Sequence, residues 1–102
     1  MAGVKGKVLG IKTRLRLFRD EFGKEFTARV KDRTPVETGT LQAGWEFRMK
    51  DQDVEVRNNV PYASFVERGT DKMAGRHMLA TTAAEANQIA EIALERAEQR
   101  RK

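Results

Sequence analysis

Few side chains in this sequence could do chemistry, and they do not group into a catalytic or metal site. The 102 residues include one histidine, His77, and no cysteine. A lone imidazole without a Cys or a second His makes no ordinary transition-metal site, and no Asp/Glu pair stands near it to form a catalytic relay. We therefore expect His77 to be a structural or surface residue.

The carboxylates are no better placed for catalysis. Asp51, Asp53 and Glu55 alternate along the chain, but they lack the Gly and the closing Glu of a calcium loop, so we expect them on the solvated face and turn of a hairpin. Glu67 has no acid or base partner at catalytic spacing. We expect Glu67 to accept hydrogen bonds from loop amides, or to pair with Arg68 or another arginine.

A phosphate-binding loop is excluded by its spacing. Gly6, Lys7 and Gly10 supply the residue types, but Gly6 and Gly10 are one residue too close for the Gly-x-x-x-x-Gly-Lys-Ser/Thr pattern. Ile11 also stands where the pattern requires its lysine. The sequence therefore predicts a protein that is not an enzyme and that holds no metal or cofactor.

Composition bounds the class of protein. A chain with 39% apolar and 34% charged residues fits one domain with a modest core, and part of it is expected to be solvated or buried against other subunits. No run approaches the roughly 20 apolar residues of a membrane span, and we expect no secretory signal. The lack of cysteine removes disulfides and thiol catalysis and fits a reducing cytoplasm.

The positive charge is concentrated at the N-terminus. Residues 1–33 hold ten Lys/Arg and four Asp/Glu, a net charge of +6 within a chain of net charge +5. The first nineteen residues contain no acid, and their bases are Lys5, Lys7, Lys12, Arg14, Arg16 and Arg19. Such an arm suits the phosphate backbone of DNA or an acidic protein surface. The alternative is that these bases only solvate the outer face of a helix, since nucleic-acid binding needs more than charge.

Hydrophobic periodicity predicts an α+β frame. Apolar residues at steps of three and four predict a long N-terminal helix, and they are Val4, Val8, Ile11, Leu15, Phe18, Phe22, Phe26 and Val30. Alternation over 45–49 and over 54–57 predicts an antiparallel hairpin, the basis of a small antiparallel β-sheet. Residues 61–67 predict a short helix. The chain from Met78 onward lacks Gly and Pro and predicts a C-terminal helix, with Leu94 on its apolar face.

We therefore expect one domain in three segments: a basic helical arm (1–33), a corner with the hairpin and short helix (34–76), and a C-terminal helix (77–102). The apolar stripe of the arm is longer than one thin sheet can cover, which indicates packing against a neighbouring subunit. The alternative is a self-contained helix with a disordered beginning.

The sequence predicts two chain reversals from its Pro and Gly residues. Pro35 cannot continue a helix and Gly39 permits a positive φ, so residues 34–45 are typical of a shaped corner ahead of a strand. Gly69 fits a helix C-cap position. Trp45 and Tyr62 are expected to anchor the sheet to the helices. The predicted corner residues are Pro35, Gly39, Leu41, Trp45, Tyr62, Glu67 and Gly69.

Two segments together, TPVETGTLQAGW (34–45) and NNVPYASFVERGT (58–70), resemble the gene-product-ten-like family of small tail-completion, minor tail or head–tail joining proteins of lambdoid long-tailed bacteriophages. Its patterns are Pro-Val-(Asp/Glu)-Thr-Gly-x-Leu-x-x-x-Trp and Pro-Tyr-Ala-x-x-(Leu/Val)-Glu-x-Gly. The matching residues are Pro35, Val36, Glu37, Thr38, Gly39, Leu41 and Trp45, then Pro61, Tyr62, Ala63, Val66, Glu67 and Gly69. With the flanking helices, the resemblance covers roughly residues 20–95.

The resemblance implies a structural virion protein of a tailed bacteriophage, without enzymatic chemistry and with no membrane association. It implies a tail-completion or neck component that forms a homo-oligomeric ring, hexamer or higher, at the head–tail junction, after assembly in the host cytoplasm. Its partners would be other phage neck and tail proteins, and genomic DNA passing through the channel.

Other functions stay open at this point. A tail terminator, which stops tube polymerisation, is not separated from a tail-completion protein by the sequence. A small basic nucleic-acid-binding protein would use the N-terminal arm. A cytoplasmic hydrolase or nuclease would need a metal or an acid/base cluster, which the sequence does not supply.

Overall fold

The computed structural model describes residues 4–7, 16–35, 39–50, 53–70 and 73–100. The helices in these residues are α1 (Arg16–Asp32), α2 (Thr40–Ala43), α3 (Ala63–Arg68), α4 (Met78–Ala83) and α5 (Ala86–Arg100). The strands are β1 (Val4–Lys7), β2 (Trp45–Lys50), β3 (Asp53–Asn58), β4 (Gly69–Thr70) and β5 (Met73–Ala74). The predicted α+β fold is confirmed, with its long N-terminal helix, its hairpin-based antiparallel sheet, its short helix and its helical C-terminal segment.

The main sheet has three antiparallel strands in the order β1-β3-β2, and β4 and β5 form a separate pair. Residues directly opposite each other in such a sheet share a face. Phe47 lies opposite Val56 on the face that α1 covers, whereas Arg48 lies opposite Glu55 on the other face. The predicted hairpin of β2 and β3 is therefore confirmed, and β3 is the central strand.

Helix α1 packs against both the sheet and α5. Its buried stripe repeats every four residues, at Phe18, Phe22, Phe26 and Val30, as the helical period requires. Gly23 faces the sheet, and a Cβ at this position would overlap the ring of Phe47. The glycine therefore sets how closely the helix approaches strand β2.

The prediction that the helical arm begins near Val4 is wrong. Val4–Lys7 forms strand β1, which pairs with β3, and α1 begins at Arg16. Gly6 is disfavoured in a helix by about 1 kcal/mol relative to Ala, and pairing with β3 gives this segment backbone partners along one side. Val8, Ile11 and Leu15 lie outside the described residues.

The predicted single C-terminal helix is two helices, α4 and α5, separated by a turn at Ala84 and Glu85. No Gly or Pro marks this turn in the sequence. At this turn the Glu85 side chain pairs with Arg29 of α1 and with Arg33, the residue that follows α1. Helix α5 then runs along α1 and buries Ala86, Ile89, Ala93 and Ala97, whose mostly small side chains permit close approach. None of the described helices is long and apolar enough to span a bilayer.

Candidate interaction site

The corner after α1 is held by a short buried hydrogen-bond chain. Trp45, only 2% exposed, donates from Nε1 to Thr34 Oγ1 at 2.8 Å, and Thr34 Oγ1 donates to the Val30 carbonyl at 2.6 Å. Gly39 has φ 73° at the start of α2, and Leu41 is buried beneath it. Pro35 is half-buried at the end of the α1 turn. Val36, Glu37 and Thr38 lie outside the described residues.

Asn58 ties the corner to the end of β3, and sequence reasoning gave it no role beyond ending a strand. Its fully buried side chain donates from Nδ2 to the Leu41 carbonyl at 2.7 Å and accepts the Val60 amide at Oδ1 at 3.0 Å. A Cβ at Gly44 would lie 2.6 Å from Asn58 Oδ1. The Asn58 side chain therefore needs a glycine at position 44, fourteen residues earlier. The sequence does not show that these two residues meet, because only the fold brings them together.

Glu67 caps helix α4. Its Oε1 accepts the Leu79 amide at 2.9 Å and its Oε2 accepts the Ala80 amide at 3.1 Å. Glu67 therefore accepts backbone amides as expected, but these amides belong to the first turn of α4 and not to a loop. His77, an exposed residue with φ 48°, precedes the first residue of α4. Gly69 follows the last residue of α3 and has φ 87°. A carboxylate at a helix N-terminus is stabilised by the unpaired amides and by the helix dipole.

The expectation of a core position is confirmed for Trp45 and wrong for Tyr62. Tyr62 is 41% exposed, and Phe65, on the same side of α3, is 58% exposed. Leu94 was predicted on the apolar face of the C-terminal helix, but it is 48% exposed. The i, i+3 spacing of Tyr62 and Phe65 predicts that both side chains lie on the same apolar side of a helix. It does not predict whether another part of this chain packs against that side. Within the described part of the chain, these are the large apolar side chains that solvent reaches most.

The second face of the main sheet is polar and internally paired. Arg57 donates to Glu46 at 2.8 Å and Arg48 donates to Glu55 at 2.9 Å. The prediction that Glu55 is solvated is wrong, since only 6% of it is exposed in the central strand. Asp53 is half-buried, and Asp51 lies outside the described residues.

The residues of the predicted basic arm separate in the fold. Lys5 and Lys7 lie at register positions opposite Arg57 and Glu55, on the polar face of the sheet. Arg16 is exposed at the start of α1 and Arg19 is half-buried. Lys12 and Arg14 lie outside the described residues. The structure therefore places two of the bases on a sheet rather than on a helix face.

A row of ion pairs joins α1 to the C-terminal helices. The pairs are Asp20 and Glu21 with Arg100 (both 2.8 Å), Glu25 with Arg96 (2.9 Å), and Glu85 with Arg29 (3.0 Å) and Arg33 (2.6 Å). The hydrogen bond from Arg29 holds the pKa of Glu25 below its ordinary value, and Arg33 does the same for the pKa of Glu85. Burial raises the pKa of Asp20, but hydrogen bonds from Arg100 and Lys24 outweigh it, and the net pKa is lowered.

A shallow pocket of about 180 Å³ lies at one end of this row, lined by Arg29, Asp32, Arg33 and Glu85. Two of its arginines are already paired with Glu85. Among the described residues, no group of three or more His, Cys, Asp or Glu side chains is placed to hold a metal ion. The described residues therefore form no metal site, and the parts of them best suited to bind a partner are exposed surfaces rather than a pocket.

The fold and these surfaces define a small α+β protein with apolar side chains left open on two separate helices. Residues 19–69, half of the chain, match the model of the family described as "Bacteriophage HK97-gp10, putative tail-component". The chain belongs to this family, and it is a bacteriophage tail component located in the virion. No curated protein and no solved structure matches the chain.

Proposed function

We propose that the protein is a tail-completion or neck component that forms a homo-oligomeric ring at the head–tail junction and helps to join the tail to the head. Membership of the tail-component family supports this role. The observation that carries it is the exposure of large apolar side chains on two different elements, Tyr62 and Phe65 at the N-cap and within α3, and Leu94 on α5. A closed ring needs such a pair of unlike patches, because each subunit contacts one neighbour with each patch.

The protein acts in this proposal by binding, without turnover. Its partners are further copies of itself and other neck and tail proteins. In this proposal the strand segment that holds Lys5 and Lys7, at register positions opposite Arg57 and Glu55, contacts either an acidic neighbour or the DNA that passes through the ring. Salt weakens the DNA contact steeply, because each phosphate contact releases counterions.

A joining experiment tests the proposal. Tails are prepared from a phage that lacks this gene, mixed with filled heads, and supplemented with the purified protein. We expect unsupplemented tails to have normal length and to remain unattached, and we expect the added protein to restore joined particles, counted by electron microscopy and by infectious titre. Tails that join equally well without the protein would refute the role.

The same tails separate the tail-terminator alternative. A missing terminator leaves tube polymerisation unstopped, so the tails would be longer than normal and variable in length. Normal tail length in the absence of the protein supports tail completion, and overlong tails support termination.

The mass of the purified protein in solution, measured by light scattering at low and high salt, tests the ring directly. A duplex-DNA titration on the same sample addresses the nucleic-acid-binding alternative. A monomer at all salt concentrations that binds duplex DNA tightly at low salt would favour that alternative over the ring.

A further inference from the structure

One exposed surface combines aromatic and basic side chains. Tyr62, the N-cap residue of α3, is followed at three-residue steps by Phe65 and Arg68, and all three are exposed. This spacing places them on one side of the helix. Arg76 is exposed and lies beside α3, because its amide donates to the Val66 carbonyl at 2.8 Å. We define these four residues, Tyr62, Phe65, Arg68 and Arg76, as the aromatic–basic patch.

A second exposed surface combines an apolar side chain with carboxylates. Leu94 lies on α5 with Glu91, Glu95 and Glu98 around it, at the i, i+3, i+4 and i+7 positions that share one face of a helix. All four are exposed, and this face is turned away from Arg96 and Arg100, which pair with α1. We define Glu91, Leu94, Glu95 and Glu98 as the Leu94 stripe.

Among the residues that the structure describes, the charges of both surfaces form no ion pair within the chain. No ion pair to Arg68, Arg76, Glu91, Glu95 or Glu98 is formed among the described residues. This contrasts with the α1–α5 row and with the polar face of the sheet, where arginines and carboxylates are paired. The two surfaces therefore carry charge of opposite sign around exposed apolar side chains.

We propose that the aromatic–basic patch of one copy binds the Leu94 stripe of the next copy. This inference rests on the proposed ring and assigns its interface. The contact would bury Tyr62, Phe65 and Leu94 at its centre and set Arg68 and Arg76 against the glutamates at its rim, the arrangement typical of protein interfaces. Complementary charge also fixes the register of the two helices.

The charges also decide the symmetry of the contact. A patch facing a patch would place Arg68 and Arg76 against arginines, and a stripe facing a stripe would place glutamates against glutamates. Like-charge contacts across an interface cost several kcal/mol. The favoured contact is therefore between unlike surfaces, the kind of contact from which a closed ring is built when successive rotations add up to a full turn.

Charge reversal tests this assignment by sedimentation velocity of the full chain. The patch-reversed variant carries Arg68→Glu and Arg76→Glu, and the stripe-reversed variant carries Glu91→Lys and Glu95→Lys. We expect each variant alone to associate at least about a hundredfold more weakly than the wild type, because like charges then face each other. Lys24→Glu and Asp32→Lys, exposed charges outside both surfaces, are the matched controls and should assemble as the wild type does.

Restoration gives the sharper result. In an equimolar mixture of the two variants, every patch finds a stripe of opposite charge, so we expect oligomers that contain both variants in equal number. A chain that carries all four substitutions should assemble alone. Circular dichroism on every variant shows that the fold is retained, which is expected for exposed positions.

The outcomes separate this inference from the proposed function. Reversed variants that assemble like the wild type would overturn the assigned interface and leave the ring standing. Loss of assembly in only one of the two variants, or no restoration in the mixture, would also overturn the pairing. A wild-type protein that stays monomeric up to about 1 mM would overturn the interface and the self-assembling ring together, while the joining experiment would still report on the tail role.

Discussion

The corner and the α1–α5 row of ion pairs are held together in opposite ways. In the corner, Thr34, Trp45 and Asn58 are buried and their hydrogen bonds are neutral. In the row, arginines that are partly exposed reach carboxylates on a neighbouring helix, as Arg96 does to Glu25. The corner therefore depends on shape and satisfied polar groups, whereas the row depends on charge that solvent screens.

The two regions also differ in their place along the chain. The corner and the Glu67 side chain lie inside residues 19–69, which match the family model, whereas α5 lies outside them. Buried groups tolerate few substitutions, because a missing partner leaves an unsatisfied polar atom, and ion pairs on a surface can be exchanged at small cost. We expect the corner to determine the fold, and we expect the row of ion pairs to affect only how α5 packs against α1.

The largest effect is expected from Trp45→Ala. This change empties a buried site and removes the donor to Thr34, so we expect a loss of about 3–5 kcal/mol in the free energy of unfolding, measured in urea. Trp45→Phe is the matched control, since it removes the hydrogen bond but retains most of the packing, and should cost about 1 kcal/mol. Equal losses for the two variants would show that the indole N–H, and not the packing, stabilises the corner.

A smaller effect tests the close approach of α1 to the sheet. Gly23→Ala improves helix propensity by about 1 kcal/mol, but its Cβ overlaps the ring of Phe47, and overpacking of this kind costs about 1–3 kcal/mol. We expect net destabilisation, which thermal unfolding would measure. In a Phe47→Ala background the same change should become neutral or stabilising, because the obstructing ring is absent.

Gly23→Ala needs an exposed control on the same helix. Lys24→Ala alters helix propensity without meeting the sheet, and we expect its free energy of unfolding to change by less than about 0.5 kcal/mol. A stabilising Gly23→Ala in the wild-type background would mean that α1 and β2 are further apart than in the structure.

The sequence predicted the parts of the corner that depend on local backbone chemistry. Pro35 predicts a chain reversal because its φ is restricted, and Gly39 does so because it permits a positive φ. The alternation around Trp45 predicts a strand in which the Trp45 side chain is buried. Asn58 was missed because its role depends on a carbonyl seventeen residues earlier in the chain. Its type is equally common at a strand end, so only the tertiary contact reveals it.

The surfaces were harder to predict than the core. Apolar periodicity finds the side of a helix that prefers to avoid water, but it does not say whether the chain or a partner covers that side. Tyr62 and Leu94 follow the apolar pattern and are nevertheless exposed. Val4 was assigned to the helix because it stands four residues before Val8, but the local sequence Val-Lys-Gly-Lys also alternates with the period of a strand, and β3 offers an edge with which it pairs.

A further prediction concerns the carboxylate that joins the matched region to the C-terminal helices. Glu67→Ala removes both acceptors at the start of α4, and we expect a loss of about 1–2 kcal/mol, the range for a helix N-cap. Glu67→Gln keeps one acceptor and should lose less. Hydrogen exchange at the Leu79 and Ala80 amides gives a local reading, and exchange unchanged by Glu67→Ala would contradict the capping role.

The smallest effect is expected from the ion-pair row, and its dependence on pH and salt distinguishes it from the corner. Glu25→Gln removes a carboxylate bonded to Arg29 and Arg96, and should cost less than about 1 kcal/mol at neutral pH. The pKa of Glu25 is lower in the folded protein than in the unfolded chain, because Arg29 and Arg96 donate hydrogen bonds to it. Its stabilisation is therefore fully present above the unfolded pKa and is lost as the pH falls through the lower folded pKa. The difference between the wild type and Glu25→Gln should therefore vanish in acid and shrink in 1 M salt, whereas the cost of Trp45→Phe should change with neither. If the cost of Glu25→Gln does not depend on salt, the carboxylate is acting as a buried hydrogen-bond acceptor, and the two regions are held by the same kind of interaction.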